Sequence, residues 1–164
     1  MYVGVPRNPI KNASNWINKK VVAIESSWEP SQRHTILVVD DSDDLRALVR
    51  FVLESMGHKV IEAPNGLAAV EIAVREQPNL ILMDLAMPVL DGFGSALAIK
   101  SEATTSSLPI IAVSAHDSRD HRIKAFAVGF SDYLTKPINF SELSEKLKKW
   151  LNFGSDSDLT PSMN

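Results

Sequence analysis

The chain alternates short continuous apolar runs with longer segments in which apolar residues recur every three or four positions. Continuous runs are typical of buried strands, and recurrence at three-and-four spacing is typical of amphipathic helices. Strands are predicted over 35–39, 58–63, 79–84, 108–113 and 131–135. Helices are predicted over 45–56, 67–76, 93–102 and 118–128, and a last helix opens at Asn139. The pattern indicates five β-α units in succession.

Local signals place several element boundaries. Ser42 offers an N-cap to the first helix, and Gly57 ends that helix. The turn Pro64-Asn65-Gly66 closes the second strand. Crossover helices between successive strands require a parallel sheet that is covered on both faces. The predicted fold is therefore a doubly wound α/β domain.

The two ends of the chain differ from the middle. Residues 1–33 lack a sustained period and are predicted to form a mostly disordered extension, with 16–25 as the segment apolar enough to dock. Residues 153–164 are predicted to form a flexible tail, which leaves 34–152 as the domain. Five basic and two acidic side chains give the extension a charge of +3, and twelve basic against eighteen acidic give the remainder −6.

Bulk properties exclude several classes of protein. A chain of 164 residues supports one domain with a real core. No apolar stretch approaches the roughly 18 residues needed to span a bilayer, and the first residues do not resemble a signal peptide. The absence of cysteine excludes disulfide and thiol chemistry and fits a reducing compartment. From these features together we expect no membrane contact and a cytoplasmic location. A net charge of −3 gives no footprint for direct binding to nucleic acid.

Polar residues follow the predicted strands at the points where the strands end. Asp40 and Asp41 follow the first strand, Asp84 ends the third, and Lys136 follows the fifth. Ser114 follows the fourth strand. Because the carboxyl ends of parallel strands share one edge, where ligands bind in open α/β sheets, these groups are expected to converge. Three carboxylates and one ammonium suit a divalent cation together with a phosphoryl group.

Each of these groups also has an ordinary structural interpretation. The acidic pair can be a solvated turn that caps a helix, stabilised by the helix dipole. Asp84 can be a turn residue, Lys136 a surface side chain, and Ser114 a hydroxyl bonded to nearby backbone. Taken together, however, they make Asp84 a candidate nucleophile, since carboxylates can form aspartyl-phosphates.

Four segments resemble the response-regulator receiver domain of two-component signalling, and the resemblance covers about residues 34–152. They are Val39-Asp40-Asp41, the run from Met83 to Gly92, Val113-Ser114-Ala115 and Tyr133-Leu134-Thr135-Lys136-Pro137. The resemblance implies a flavodoxin-like, five-stranded parallel sheet in the order 2-1-3-4-5 with helices on both faces. It also implies a phosphorylation-controlled switch.

The resemblance implies a role for each acidic position. Asp84 would be the phosphoacceptor and a ligand of Mg²⁺. Asp41 would bind the metal directly, while Asp40 would act through a bound water. The backbone carbonyl of Ala86, two residues past the acceptor, would be a further ligand.

The remaining positions would bind the phosphoryl group and respond to it. Lys136 would bridge phosphoryl oxygens, with its geometry fixed by a cis bond to Pro137. Ser114, a serine where threonine is commoner, would follow the phosphoryl group, and Tyr133 would swing inward behind it. Two further positions are expected to have structural roles; they are Pro88 and Gly92.

The resemblance implies a signalling protein that is not a turnover enzyme. Its phosphodonor would be a histidine kinase or a histidine phosphotransfer protein, and its output would be binding to a downstream effector protein of unknown identity. Because no residues after 152 suffice for an effector domain, we expect a stand-alone receiver.

Two other functions are weighed against this one. The first is a receiver-like docking module that is never phosphorylated. The second is a phosphohydrolase of the haloacid-dehalogenase type, whose Asp-x-Asp motif Asp41-Ser42-Asp43 fits. Leu45, however, stands where that motif has threonine or valine, and the Asp84 segment is left unexplained. A calcium loop is rejected because Leu45 also occupies the position that needs glycine.

Overall fold

The structure is a computed structural model that describes residues 33–152. Its strands are β1 (Thr35–Val39), β2 (Lys59–Ala63), β3 (Leu80–Asp84), β4 (Ile110–Ser114) and β5 (Asp132–Thr135). Its helices are α1 (Asp43–Ser55), α2 (Gly66–Glu76), α3 (Gly92–Ser101), α4 (Arg119–Ala127) and α5 (Phe140–Asn152). The predicted disordered extension and flexible tail lie outside the described residues, apart from Arg33. Within the described part of the chain, no helix has the length and apolar character needed to cross a membrane.

The five strands form one parallel sheet in the order β2-β1-β3-β4-β5, which confirms the predicted doubly wound fold. The register aligns the carboxyl ends of the central strands. Val39 lies opposite Met83, and Asp84 lies opposite Val113. The residues that end or follow β1, β3, β4 and β5 therefore meet at one edge of the sheet.

Two apolar clusters cover the two faces of the sheet. Successive strand residues point to opposite faces. Leu37, Ile81 and Ile110 accordingly pack into the cluster beneath α2 and α3, while Ile36, Leu82 and Ile111 pack into the cluster beneath α1 and α5. Because both faces are buried, the central strands are apolar over most of their length, and their polar residues stand at the strand ends: Thr35, Asp84 and Ser114. This is why the strands were recognisable as continuous apolar runs.

Helix starts follow local side-chain chemistry. Each of the five helices in the described part of the chain begins at a polar residue whose side chain accepts a hydrogen bond from a backbone N–H three residues on. These residues are Ser42, Asn65, Asp91, Ser118 and Asn139. The fourth strand begins two residues later than predicted, because the N–H of Leu108 bonds back to Thr105 within the preceding turn.

The carboxylate of Asp132 ties α5 to the start of β5. It accepts hydrogen bonds from Lys146 (2.7 Å), Lys149 (3.0 Å) and the indole of Trp150 (3.0 Å). Burial alone would raise the pKa of Asp132, but these donors and the backbone N–H of Tyr133 hold the pKa well below its usual range.

His58, at the amino end of β2, makes the stability of the domain depend on pH. The side chain is 2% exposed, and its ring centroid lies 5.8 Å from that of His34. Burial first, and then the charge of His34, lowers the pKa of His58 from 6.5 to about 4. Because this pKa is lower in the folded state than in the unfolded state, the stabilisation is full above pH 6.5 and is lost as pH falls toward 4.

We expect urea unfolding at a series of pH values to show that the free energy of unfolding falls by roughly 1–3 kcal/mol across that window.

Replacing His58 with phenylalanine should flatten this dependence, since the variant has no imidazole to protonate. Replacing the exposed His116 with glutamine is the matched control and should leave the slope unchanged. Equal slopes in the wild-type protein and the His58→Phe variant would show that another group is responsible.

Candidate functional site

Three carboxylates converge at the carboxyl edge of the sheet. Asp40 and Asp41 follow β1 and Asp84 ends β3, and one oxygen from each lies within 4.8 Å of the others. Asp40 and Asp84 are each 4% exposed, whereas Asp41 is exposed. Like charges placed together out of water destabilise one another unless a cation compensates them.

Lys136 supplies a positive charge between the two buried carboxylates. Its Nζ donates to Asp40 Oδ2 at 2.8 Å and to Asp84 Oδ2 at 2.9 Å. The residue follows β5, and its peptide bond to Pro137 is cis. The convergence of strand-end groups expected from the sequence is thus present for Asp40, Asp84 and Lys136.

The pKa values of Asp84 and Lys136 are both raised, but for different reasons. Burial raises the pKa of the Asp84 carboxyl, although the backbone N–H of Ala86 and the Lys136 ammonium act in the opposite direction. Burial alone would lower the pKa of Lys136, but the hydrogen bonds and charges of Asp40 and Asp84 raise it. Because two carboxylates act on one ammonium, Lys136 keeps its proton, and its single positive charge is shared between Asp40 and Asp84.

Backbone donors hold the second oxygen of each buried carboxylate. Asp40 Oδ1 accepts from the N–H of Ser42 at 2.8 Å, and Asp84 Oδ1 accepts from the N–H of Ala86 at 3.1 Å. Arg46 donates to the Asp40 backbone carbonyl at 2.7 Å. The carboxylates are therefore fixed in orientation by the loops that follow their strands.

The donor set fits a small divalent cation. Carboxylate oxygens are hard ligands, and Mg²⁺ characteristically binds through one or two carboxylates while it keeps several waters. Asp40, Asp41 and Asp84 supply the oxygens, and the exposed side of Asp41 leaves room for water ligands. The exposed Ala86 lies in the same loop as Asp84, at the position expected to contribute a carbonyl.

Ser114 and Tyr133 are both hydrogen-bonded through their side chains to the backbone of His116. Ser114 ends β4 with 1% exposure, and its Oγ accepts from the N–H of His116 at 3.1 Å. The ring of Tyr133 is also 1% exposed, and its hydroxyl donates to the His116 carbonyl at 2.5 Å. The loop after β4 thus connects the Ser114 hydroxyl to the Tyr133 side chain. The Tyr133 ring is buried, and this buried placement is called the inward position below.

The loop between β3 and α3 is packed tightly against the acidic strand end. The N–H of Gly92 donates to the Leu85 carbonyl at 3.1 Å, and a Cβ at Gly92 would lie 2.3 Å from the Asp84 carbonyl oxygen. Pro88 is exposed in the same loop, followed by Val89 with a φ of 72° and 83% exposure. Gly92 is therefore required for the close approach of α3 to β3.

Asp43 and Asp44, in the first turn of α1, lie outside the cluster. The Asp43 side chain is 90% exposed and pairs with Arg46, and Asp44 is exposed in the first turn of α1. Sequence reasoning missed Arg122, whose guanidinium carbon lies 4.6 Å from the centre of the Tyr133 ring. A basic residue on an exposed helix carries no sequence signal of such a contact, which depends on how α4 sits against β5.

A family model described as the response regulator receiver domain matches residues 36–148. The match includes every residue of the acidic cluster together with Ser114, Tyr133 and Lys136.

Individual proteins of known sequence or structure show the same similarity. An uncharacterized 14.6 kDa protein of Leptolyngbya boryana is 41% identical over 70% of this chain and 88% of its own length. Protein PilH of Pseudomonas aeruginosa is 38% identical over 71% of this chain and 93% of its own. The receiver domain of the sensor histidine kinase PA1611 from Pseudomonas aeruginosa, solved with magnesium in its active-site cleft, is 32% identical. It covers 74% of this chain and 99% of its own, with a TM-score of 0.69.

Gly92 and Gly94 offer a matched pair of variants for the loop that carries the site. In Gly92→Ala the new methyl group would meet backbone atoms of Asp84 and Leu85, which cannot move independently of β3. In Gly94→Ala it would meet chiefly the Cδ1 atom of Leu90, the end of a flexible side chain. We expect Gly92→Ala to lower the free energy of unfolding by roughly 1–3 kcal/mol. Gly94→Ala should be neutral or stabilising by up to about 1 kcal/mol, since alanine favours helix. Chemical denaturation measures both, and equal effects would contradict the assignment of Gly92 to a backbone contact.

Proposed function

The chain belongs to the response regulator receiver domain family, and on that basis we propose that Asp84 accepts a phosphoryl group from a phosphohistidine of a partner protein. The observation that carries the proposal is the bridge from Lys136 to the buried carboxylates of Asp40 and Asp84. A fixed ammonium beside a buried carboxylate at an accessible edge of the sheet favours transfer of an anionic group to that carboxylate.

The transfer forms one bond and breaks one bond. A carboxylate oxygen of Asp84 attacks the phosphorus, and the P–N bond to the donor imidazole breaks. The bonding electron pair goes to the imidazole nitrogen, which takes up a proton, and an acyl phosphate remains on Asp84. Lys136 stays protonated throughout and follows the negative charge as it moves onto the phosphoryl oxygens.

Asp40, Asp41 and Asp84 would hold a Mg²⁺ ion in this pocket, with the Ala86 carbonyl as a further ligand and Asp40 acting through water. When bound, the ion supplies positive charge that offsets the phosphoryl oxygens. This charge is needed because phosphorylation adds roughly −1.5 to −2 charges and three acceptor oxygens to a site that already contains carboxylates. Ser114 would donate its hydroxyl hydrogen to one of those oxygens.

The proposed output is a change in a protein-binding surface. If the Ser114 hydroxyl turns to the phosphoryl group, the loop that also binds the Tyr133 hydroxyl would shift. Tyr133 and the surface around β5 would then respond to phosphorylation of Asp84. Receiver domains interact with histidine kinases or phosphotransfer proteins and with downstream effectors, and act as phosphoacceptors rather than turnover enzymes. We propose the same for this chain, in the cytoplasm, where ATP-dependent kinases operate.

Uptake of a single phosphoryl group tests the proposal directly. Incubation with acetyl phosphate and Mg²⁺ should add one phosphoryl group to the wild-type protein, as measured by intact mass. Asp84→Ala should add none, because it has no carboxylate to attack the phosphorus. Chelation of the metal should also abolish the adduct in the wild-type protein.

Each alternative function gives a different outcome. A folded wild-type protein without an adduct would indicate a receiver-like module that docks without phosphorylation. Sustained turnover of a small phosphate ester would indicate a hydrolase. An adduct that persists in Asp84→Ala would place the acceptor elsewhere and refute the proposed role of Asp84.

The metal requirement can be tested at the exposed carboxylate. Asp41→Asn should raise the Mg²⁺ concentration needed for half-maximal phosphorylation by at least about tenfold, since it removes a charged ligand. Asp44→Asn is the matched control, because it removes the same charge from the same loop-helix junction outside the cluster. It should change that concentration by no more than about twofold. Equal effects of the two variants would show that the overall negative charge of this segment, and not a ligand at Asp41, determines the Mg²⁺ requirement.

A further inference from the structure

Arg122, a basic residue of α4, lies over the ring of Tyr133 in β5. Its guanidinium carbon lies 4.6 Å from the centre of that ring. A guanidinium over an aromatic face is attracted by the ring quadrupole, more strongly where water is partly excluded. Arg122 is 40% exposed at its side chain, so the contact is partly shielded.

Arg122 is also anchored to the loop between β4 and α4. Its Nη2 lies 2.6 Å from Asp117 Oδ1, and its Nε donates to the same oxygen at 2.6 Å. Asp117 follows His116, whose carbonyl accepts the Tyr133 hydroxyl and whose N–H donates to Ser114 Oγ. The His116 ring in turn stacks on that of His121, with centroids 5.0 Å apart. Arg122 therefore touches both the Tyr133 ring and the loop to which the ring is hydrogen-bonded.

We propose that Arg122 is a positioning residue that holds Tyr133 inward, and that it thereby favours phosphorylation of Asp84. The inference rests on the function proposed above. The Tyr133 side chain, the His116 backbone and the Ser114 hydroxyl form one continuous set of hydrogen bonds, and Ser114 directly follows Val113, which is paired with Asp84 in the sheet. Any group that favours one arrangement of this set must favour the chemical state that prefers the same arrangement.

The size of the effect follows from the strength of the contact. A partly shielded guanidinium–ring contact together with an exposed ion pair shifts a two-state equilibrium by roughly two- to tenfold. Arg122→Ala should slow phosphoryl uptake from acetyl phosphate by about that factor. Arg122→Lys should recover part of the rate, because an ammonium keeps the charge over the ring but lacks the planar guanidinium that binds Asp117.

Arg119→Ala is the matched control. Arg119 lies in the same helix, is exposed, and carries the same charge, so the variant changes net charge equally without touching Tyr133. Uptake by Arg119→Ala should stay within about twofold of the wild-type rate. In a Tyr133→Leu background, Arg122→Ala should have no further effect, since the group through which Arg122 acts has been removed.

A second measurement reports on the ring itself and needs no phosphorylation. The chain contains two tyrosines, Tyr2 and Tyr133, so ring-labelled tyrosine gives two sets of NMR signals that Tyr2→Phe assigns. The nuclear Overhauser effect between the Tyr133 ring and His116 should be strong in the wild-type protein and in Arg119→Ala. It should weaken at least about twofold in Arg122→Ala, because the ring then leaves the inward position part of the time.

The two measurements separate the two hypotheses. No phosphoryl uptake by the wild-type protein would refute the proposed function, and the NMR comparison would still decide whether Arg122 positions Tyr133. Equal uptake by Arg122→Ala and Arg119→Ala would refute the role of Arg122 in phosphorylation. Slowing of the same size in the Tyr133→Leu background would also overturn the proposal, because Arg122 would then act by another route.

Discussion

The hydrogen bonds from the Lys136 ammonium to the carboxylates of Asp40 and Asp84 are the interaction on which the site depends. Two carboxylates that are each 4% exposed cannot remain charged at such close range without a compensating cation. The cation comes from a residue 96 positions from Asp40 and 52 from Asp84, so folding is what assembles the three groups. The register of the parallel sheet makes this possible, because it places the ends of β1, β3 and β5 at one edge. Backbone donors then fix the remaining carboxylate oxygens, so the site is oriented by the same loops that begin the following helices.

The site is closely packed on two sides. Gly92 allows α3 to approach the carbonyl of Asp84, and a single methyl group there would meet backbone rather than a flexible side chain. On the other side, the loop after β4 is held through both the N–H and the carbonyl of His116, one bonded to Ser114 and the other to Tyr133. Densely packed elements of this kind move between discrete arrangements rather than deforming gradually. A change of charge at Asp84 is therefore expected to reach α4 and β5 as a change of arrangement.

Most of the fold and much of the site could be predicted from the chain alone, and the reasons are local. Strands buried on both faces are apolar over most of their length, which is why β1, β3 and β4 were recognised as strands. The boundaries moved by only one or two residues where a turn hydrogen bond took an N–H from the expected strand, as at Leu108. Asp40, Asp84 and Lys136 were identifiable because each ends or directly follows an apolar strand. Because they lie at the carboxyl ends of parallel strands, they were expected to share one edge of the sheet.

The sequence by itself determined the fold, the sheet order through its resemblance, and the residue types gathered at the sheet edge, since these depend on periodicity and on position relative to strand ends. The tertiary structure decided which acidic residues enter the cluster: Asp40, Asp41 and Asp84 do, while Asp43 turns outward to Arg46. It also decided the partners of Asp132 and the placement of Arg122 over Tyr133. These contacts join side chains on different elements across the fold, and no spacing along the chain encodes the angle at which a helix packs on a sheet.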